Sequence, residues 1–330
     1  MTGARATVLA AACALAAAAL YAGRALLLKL PPGPLPLADL VFLQSLFALP
    51  AAVFIATWRG APLMPQRAAC AAHLSRGLIG MLHTAMLLWV FLRLPAGLAV
   101  TLSFTAPLFY ALIAWLVAGE AVSQRAGLGL LAGFAGVALI AWPATSTGGA
   151  AVTAAIDAGA VCVALSAGLV GALITFSVRR VIVRGERAET LMVSFTGVQS
   201  ATAAAWWLAA GSPASLLAPW TLVIGTAVGL LSTLAQLLVT LGHSHGSAAL
   251  ANALSFVAIP LAALGALLWF AERLPAAAWL GAALVAVGGA SVLMADLRRI
   301  PAVQPTPQQP PAGGAKVLPF SRVADTRRAA

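Results

Sequence analysis

The chain has 330 residues, 62% of them hydrophobic and 8% charged, with a formal net charge of +11 and a mean hydropathy of +0.99. A soluble domain carries about 25% charged residues, so this chain cannot cover its surface with solvated groups and reads as a membrane protein. The positive charge does not indicate nucleic acid, because Lys and Arg gather in short loops and tails, where cytoplasmic loops hold them.

Apolar runs long enough to cross a hydrocarbon core of about 30 Å fall in ten places. They are expected at 6–30, 38–57, 71–92, 95–117, 124–142, 152–177, 188–210, 219–241, 246–270 and 274–296. Alternating β-barrel segments are absent, so the spans are helices. Short connections make neighbours antiparallel. With the N-terminus inside, Arg5, Arg59, Arg67, Arg76, Arg125, Arg179, Arg180, Arg184, Arg187, Arg298 and Arg299 lie on one side, against Arg24, Lys29, Arg93 and Arg273 on the other. That asymmetry predicts an inner-membrane protein with both termini cytoplasmic. Arg5 before an Ala/Leu run also resembles the start of a signal peptide, but the apolar stretch runs on to Leu30, long enough to span. Residues 299–330, rich in Pro, Gln and basic side chains, read as a disordered basic cytoplasmic tail.

A shift of 152 residues lays 98–138 on 250–290 with 16 identities in 41 positions and no gap, among them Ser103/Ser255, Phe104/Phe256, Glu120/Glu272, Gly129/Gly281 and Gly136/Gly288. The chain is a duplication: 1–146 and 147–298, five helices each. Five is odd, so the halves enter the membrane from opposite sides, an arrangement common in secondary transporters. The expected architecture is all-α, two inverted five-helix repeats.

The run LPAGLAVTLSFTAPLFYALIAWLVAGE, followed by GLGLLAGFAGVALIAWP, resembles the fourth and fifth helices of an EamA-type unit. Its later copy is GSAALANALSFVAIPLAALGALLWFAERLPAAAWLGAALVAVGGASVL. Two such units in tandem make the ten-helix members of the drug/metabolite transporter superfamily. The resemblance implies alternating-access movement, by export or uptake, of an amino acid, a related metabolite or a drug-like solute through a cavity between the halves. Vitamin or nucleoside uptake and the flipping of lipid-linked molecules are its variants. The expected partners are that solute and the lipid bilayer, with no nucleic acid and no cofactor; the protein is read as a monomer or homodimer.

In chain order, Arg24 and Lys29 lie in the outer part of the first span, and Asp157, five residues into the sixth, is read as their partner or as a gate charge. His73, Arg76, Gly80 and His83 share one helical face. His73 is expected in the interface and Arg76 to reach it by snorkelling. His83, near mid-bilayer, is placed either to bind solute or a proton or to bond a neighbouring carbonyl. Thr101, Ser103, Phe104 and Tyr110 on span 4, and Asn252, Ser255 and Phe256 on span 9, offer polar and aromatic groups to a cavity. Pro107 and Pro260 kink the same two spans, one position out of register. Thr226, Gly229, Thr233, Gln236 and Thr240 form a polar or small stripe that either lines a cavity or knits helices. Glu120 and Glu272 are expected to place charge at the N-terminus of the helix that follows each, with Ser123 as an N-cap. Gly129, Gly133 and Gly136 against Gly281, Gly288 and Gly289 would let spans 5 and 10 meet, or form a dimer contact.

Cys13, Cys70 and Cys162 have no metal-ligand spacing and read as small buried hydrophobes. The spans are read as offering a single acid, Asp157, and no HExxH, DDxxD-like or GxSxG arrangement, while His243 and His245 lack thiol or acidic partners. An enzyme is therefore not expected.

Overall fold

Lipid leaves backbone N–H and C=O groups no partner but the chain itself, and in the computed structural model a helix stands at each of the ten expected places. The structure describes residues 3–33, 35–65, 70–118, 123–145, 157–182, 187–245, 254–272 and 274–297. Glu120, Asn252, Arg273 and the 299–330 tail lie outside them. The helices are α1 (Gly3–Leu27), α2 (Leu37–Trp58), α3 (Cys70–Arg93), α4 (Ala96–Ser103), α5 (Ala106–Ala118) and α6 (Gln124–Thr145). They continue with α7 (Ala158–Ile182), α8 (Ala188–Ala210), the single turn α9 (Pro213–Leu216), α10 (Pro219–His245), α11 (Ala258–Phe270) and α12 (Ala276–Leu297). No strand occurs among the described residues. Among the described residues, six segments are long and apolar enough to span: Val8–Leu27, Leu37–Trp58, Cys70–Arg93, Ala96–Val117, Ala158–Thr175 and Pro219–Val239. Large apolar side chains such as Leu128, Leu131, Leu268, Trp269 and Val287 face outward, as a lipid-facing surface requires and a water-facing one would not tolerate.

The packing obeys a two-fold exchange of the halves. α1 packs on α10 and α7 on α3; α2 packs on α10 and α8 on α3; α1 packs on α11 and α7 on α4 and α5. Two further pairs map onto themselves, α2 on α8 and α6 on α12. The α6–α12 seam shows the exchange atom by atom. A Cβ added at Gly136 would come within 2.5 Å of the Gly281 carbonyl oxygen, and one at Gly281 within 2.6 Å of the Gly136 oxygen. Gly129 and Gly288 face each other in the same reciprocal way. A residue meeting the copy of its partner, and the partner meeting the residue's own copy, is what a two-fold axis demands. Only glycine lets the two backbones approach so closely.

Span 4 is two helices rather than one bent helix. It breaks at Phe104–Thr105, and span 9 turns at 256–257, the copies of those two positions. The prolines, Pro107 and Pro260, are one residue out of register, yet the breaks coincide. Each proline lies just past its break and lacks the N–H that would have bonded into the preceding turn. Thr105 N–H bonds Leu102 O (3.2 Å), and Val257 N–H bonds Leu254 O (3.0 Å). At the breaks, Phe104 and its own copy Phe256 pack ring to ring, centroids 5.2 Å apart.

Several charges and thiols take places the sequence did not assign. Asp157 precedes α7 instead of lying five residues into a span. It accepts the N–H of Ala160 (3.2 Å) and pairs with Arg93 (3.7 Å), not with Arg24 or Lys29. Nor is it alone: Asp39 stands in the first turn of α2 and Glu189 in the first turn of α8, the end where a helix favours negative charge. Asp39 is fully buried and accepts from Trp207 Nε1–H and Ser215 Oγ–H, both at 2.7 Å. Glu272 does not serve the helix that follows it; its carboxylate accepts the N–H of Ala96 (3.0 Å) and so caps α4 in the other half. Ser123 does cap α6, accepting the N–H of Ala126. His73 is buried rather than interfacial. Of the cysteines only Cys13 is buried; Cys70 and Cys162 are exposed.

Candidate functional site

Between the halves lies a cavity of about 920 Å³. Its walls come from α1, α2, α3, α4, α5, α7, α8 and α10. Along α3 it is lined by Arg76, His83, Thr84, Leu87, Leu88 and Phe91, a depth of about 22 Å at 1.5 Å per residue. At one end stand Arg59 and Glu189, 3.3 Å apart, with Arg187 also on Glu189 at 3.7 Å. The other end stops at Leu88, Phe91 and Val100. Beyond it Leu26, Leu28, Leu94, Leu98 and Ile259 are buried together in the main apolar cluster. This conformation is therefore sealed toward the face carrying Glu272 and reaches the face carrying Arg59 and Arg187.

The sealed floor is held by chemistry from both halves. Gly97 packs so tightly on α11 that an added Cβ would lie 2.8 Å from both Cα and Cβ of Ala263. Lys29, in the turn after α1, is half-buried; burial pushes its ammonium below the usual lysine range, opposed by the Glu272 carboxylate.

Arg24 turns back from the end of α1 into the cavity. It lies over the Tyr21 ring (5.2 Å) and the Phe91 ring (5.1 Å), and its Nη1 donates to Ser232 Oγ (3.1 Å). Arg76 does not snorkel to the interface: it lies over Phe195 at 4.7 Å and donates to the Leu191 carbonyl (3.3 Å). An aromatic face stabilises a guanidinium without cancelling its charge. His83 stands at mid-depth on the wall, close enough to α7 that a Cβ at Gly171 would meet its Nε2 at 3.0 Å. Amides complete the polar surface. Gln199 donates to Thr84 (2.7 Å), and Gln236 accepts from the Tyr21 hydroxyl (3.3 Å). Four buried polar atoms on this wall have no hydrogen-bond partner: Arg24 Nε, Gln44 Oε1, Arg76 Nε and Thr233 Oγ1.

The structure brings together only some of the residues singled out by sequence. Arg24, Arg76, His83, Ser103, Phe104, Pro107 and Gln236 line the cavity. Thr101 is fully buried and turns its hydroxyl onto the Gly97 carbonyl of its own helix (2.7 Å). Phe256 lies behind Phe104, Pro260 is exposed, and Tyr110, Lys29 and Asp157 stand off the cavity. The α10 stripe divides: Thr233 and Gln236 line the cavity, while Gly229 admits Phe47 and the Leu43 carbonyl. Sequence reasoning missed Tyr21, Gln44, Thr84, Phe195, Gln199 and Ser232. Polar residues facing inward from α2 and α8 were the available signal. Among the described residues no group of His, Cys, Asp and Glu could hold a metal ion.

Residues 8–142 match the model of the EamA-like transporter family. The chain is 30% identical over 233 residues to a protein of Rhizobium johnstonii named riboflavin transporter, which covers 69% of this chain and 71% of that one. A protein of known crystal structure shares the fold, with a TM-score of 0.58 at 19% identity over 88% of this chain and 98% of that chain.

Proposed function

We propose, from the premise that this chain belongs to the EamA-like transporter family, that it exports a small organic metabolite across the inner membrane by alternating access. The family's work is to move small solutes through membranes. The observation that carries the finer reading is the cavity between two inverted repeats, sealed at one end and reaching the opposite face. In this reading the units are residues 1–146 and 147–298, which rock about the α6–α12 seam, with the breaks at Phe104 and Phe256 absorbing the bend. In this conformation the cavity reaches the arginine-rich face, which the positive-inside rule assigns to the cytoplasm along with both termini, so a cytoplasmic solute can enter it for export. The transport site comprises Arg24, Arg76, His83, Phe104, Pro107 and Gln236; Asn252 remains a candidate from the sequence alone. Amino acids and related or drug-like compounds are the solute range.

A second reading, uptake of a planar vitamin, is favoured by the relative named riboflavin transporter and by four aromatic rings on the wall, Tyr21, Phe91, Phe104 and Phe195. Purified protein in liposomes, screened with amino acids, nucleosides and vitamins, is expected to show saturable flux that accelerates when the same solute is placed on the far side. Flux that rises without saturating, as through a channel, would overturn the carrier reading. His83→Ala is expected to alter the pH dependence of that flux; an unchanged profile removes His83 as a coupling group.

A further inference from the structure

We propose that the transported solute is an organic anion on a flat, apolar body, its acid group held by Arg24 at the floor of the cavity and drawn inward past Arg76. This deepens the transport reading and rests on it. Among the described residues, the charged side chains on the cavity wall are Arg24, Arg59, Arg76 and Glu189. Glu189 is already shared between Arg59 and Arg187, and among the described residues no other carboxylate lines the wall. Two guanidiniums are thus left without a counter-charge inside a low-dielectric chamber, where an un-neutralised charge is costly and an incoming opposite charge is bound strongly.

Their surroundings are built for a guest more than for self-neutralisation. Tyr21 and Phe91 clamp Arg24, and Phe195 supports Arg76; these faces hold each cation in place while leaving its charge whole. Each arginine also keeps a buried Nε–H with no acceptor. Native structures leave few such atoms unpaired without a reason. A carboxylate or phosphate is the ligand that satisfies guanidinium donors best, because its oxygens match their fork. The apolar wall residues Leu88, Phe91 and Phe104, with Phe91 lying against Arg24, suit a ring or similar flat body. A cationic solute would meet two like charges, and a neutral one would leave both uncompensated.

The test uses sets that share one ring body and differ in the charge of the head group: phenylacetate, phenylacetamide and phenethylamine; indoleacetate, indoleacetamide and tryptamine; naphthoate, naphthamide and naphthylmethylamine. Equilibrium binding to the purified full-length protein at neutral pH is expected to favour each acid over its amide and amine by about tenfold or more. Arg24→Gln is expected to remove that preference and Arg24→Lys to restore part of it. Arg76→Gln, a second variant should Arg24→Gln not fold, is expected to weaken the acids while leaving the amides unchanged. Equal or tighter binding of amides or amines, a preference that survives both changes, or binding of none of the nine compounds overturns the proposal. The transport reading is judged separately by counterflow over the broad solute panel, so it stands or falls without these ratios.

Discussion

The two ends of the cavity are built from copies of one five-helix unit, yet different forces act at each. At the Glu272 end the halves interlock through Leu26, Leu28, Leu94, Leu98 and Ile259, with the Glu272 carboxylate reaching across to the first N–H of α4. At the Arg59 end, α2 and α8 meet through a small apolar cluster of Ala52, Ala56, Ala61 and Val193 and through the Arg59–Glu189 pair, whose side chains are 31% and 16% exposed. Apolar interlock is strong but needs an accurate fit, whereas half-exposed ion pairs are weak and easily exchanged. The contrast is one of degree: the large apolar cluster seals the Glu272 end, while a small one and a partly exposed ion pair join the halves at the other. A carrier needs both conditions at once, and the seam of glycines on α6 and α12 is common to the two ends.

That shared seam is where the comparison breaks most severely. Gly288→Leu would drive its Cβ onto the Gly129 carbonyl and within 2.6 Å of Gly133 N. Overpacking of this kind costs about 1–3 kcal/mol or more, so a clear fall in Tm or loss of the monodisperse species on size exclusion is expected. An unshifted Tm would show that the seam is not a tight fulcrum.

Carboxylates at equivalent helix starts sharpen the contrast. Asp39→Ala at the sealed face strands Trp207 Nε1–H and Ser215 Oγ–H and should cost about 1–3 kcal/mol. Glu189→Ala at the other face should cost about 0–1 kcal/mol. Thermal unfolding in detergent compares the two; equal losses would erase the distinction between the ends.

Glu272→Gln tests the seal more gently, removing the charge but not the oxygen that α4 meets. A charge at a helix N-terminus is worth about 0.3–1 kcal/mol, so thiol labelling of a cysteine placed at Leu98, from the Glu272 side, should accelerate by about two- to fivefold. No acceleration would mean that the apolar contacts alone keep that end shut. Smallest of all, Arg93→Gln removes an ion pair whose partners are 57% and 41% exposed. Its effect on Tm should fall within measurement error.

The sequence made legible whatever repeats. The copies at Phe104/Phe256, Gly129/Gly281 and Gly136/Gly288 marked out the axis, and an odd number of helices per half set its orientation. The aligned breaks were half legible, because the prolines announce kinks but their misregister hides that the turns coincide. Contacts between distant segments were not legible. Asp39 looks like any acid before an apolar run until Trp207, 168 positions away, supplies its donor. Glu272 finds its partner 176 residues away, in the other half. Thr101 fooled the reading for a local reason: a helical threonine can satisfy its hydroxyl on the carbonyl one turn back and so need no wet cavity. Gln44 and Gln199 escaped notice because a lone amide in an apolar helix announces no direction until its neighbours are placed.

The reciprocity of the glycine contacts has a consequence for how such a molecule can arise. Gly129 meets the counterpart of Gly136, and Gly136 meets the counterpart of Gly129, so the surface is complementary to an upside-down copy of itself. Nothing in that match depends on both strands of the contact being joined in one polypeptide. The covalent link between the halves therefore adds nothing to the fit of α6 on α12 itself, which rests on where the glycines stand along each helix.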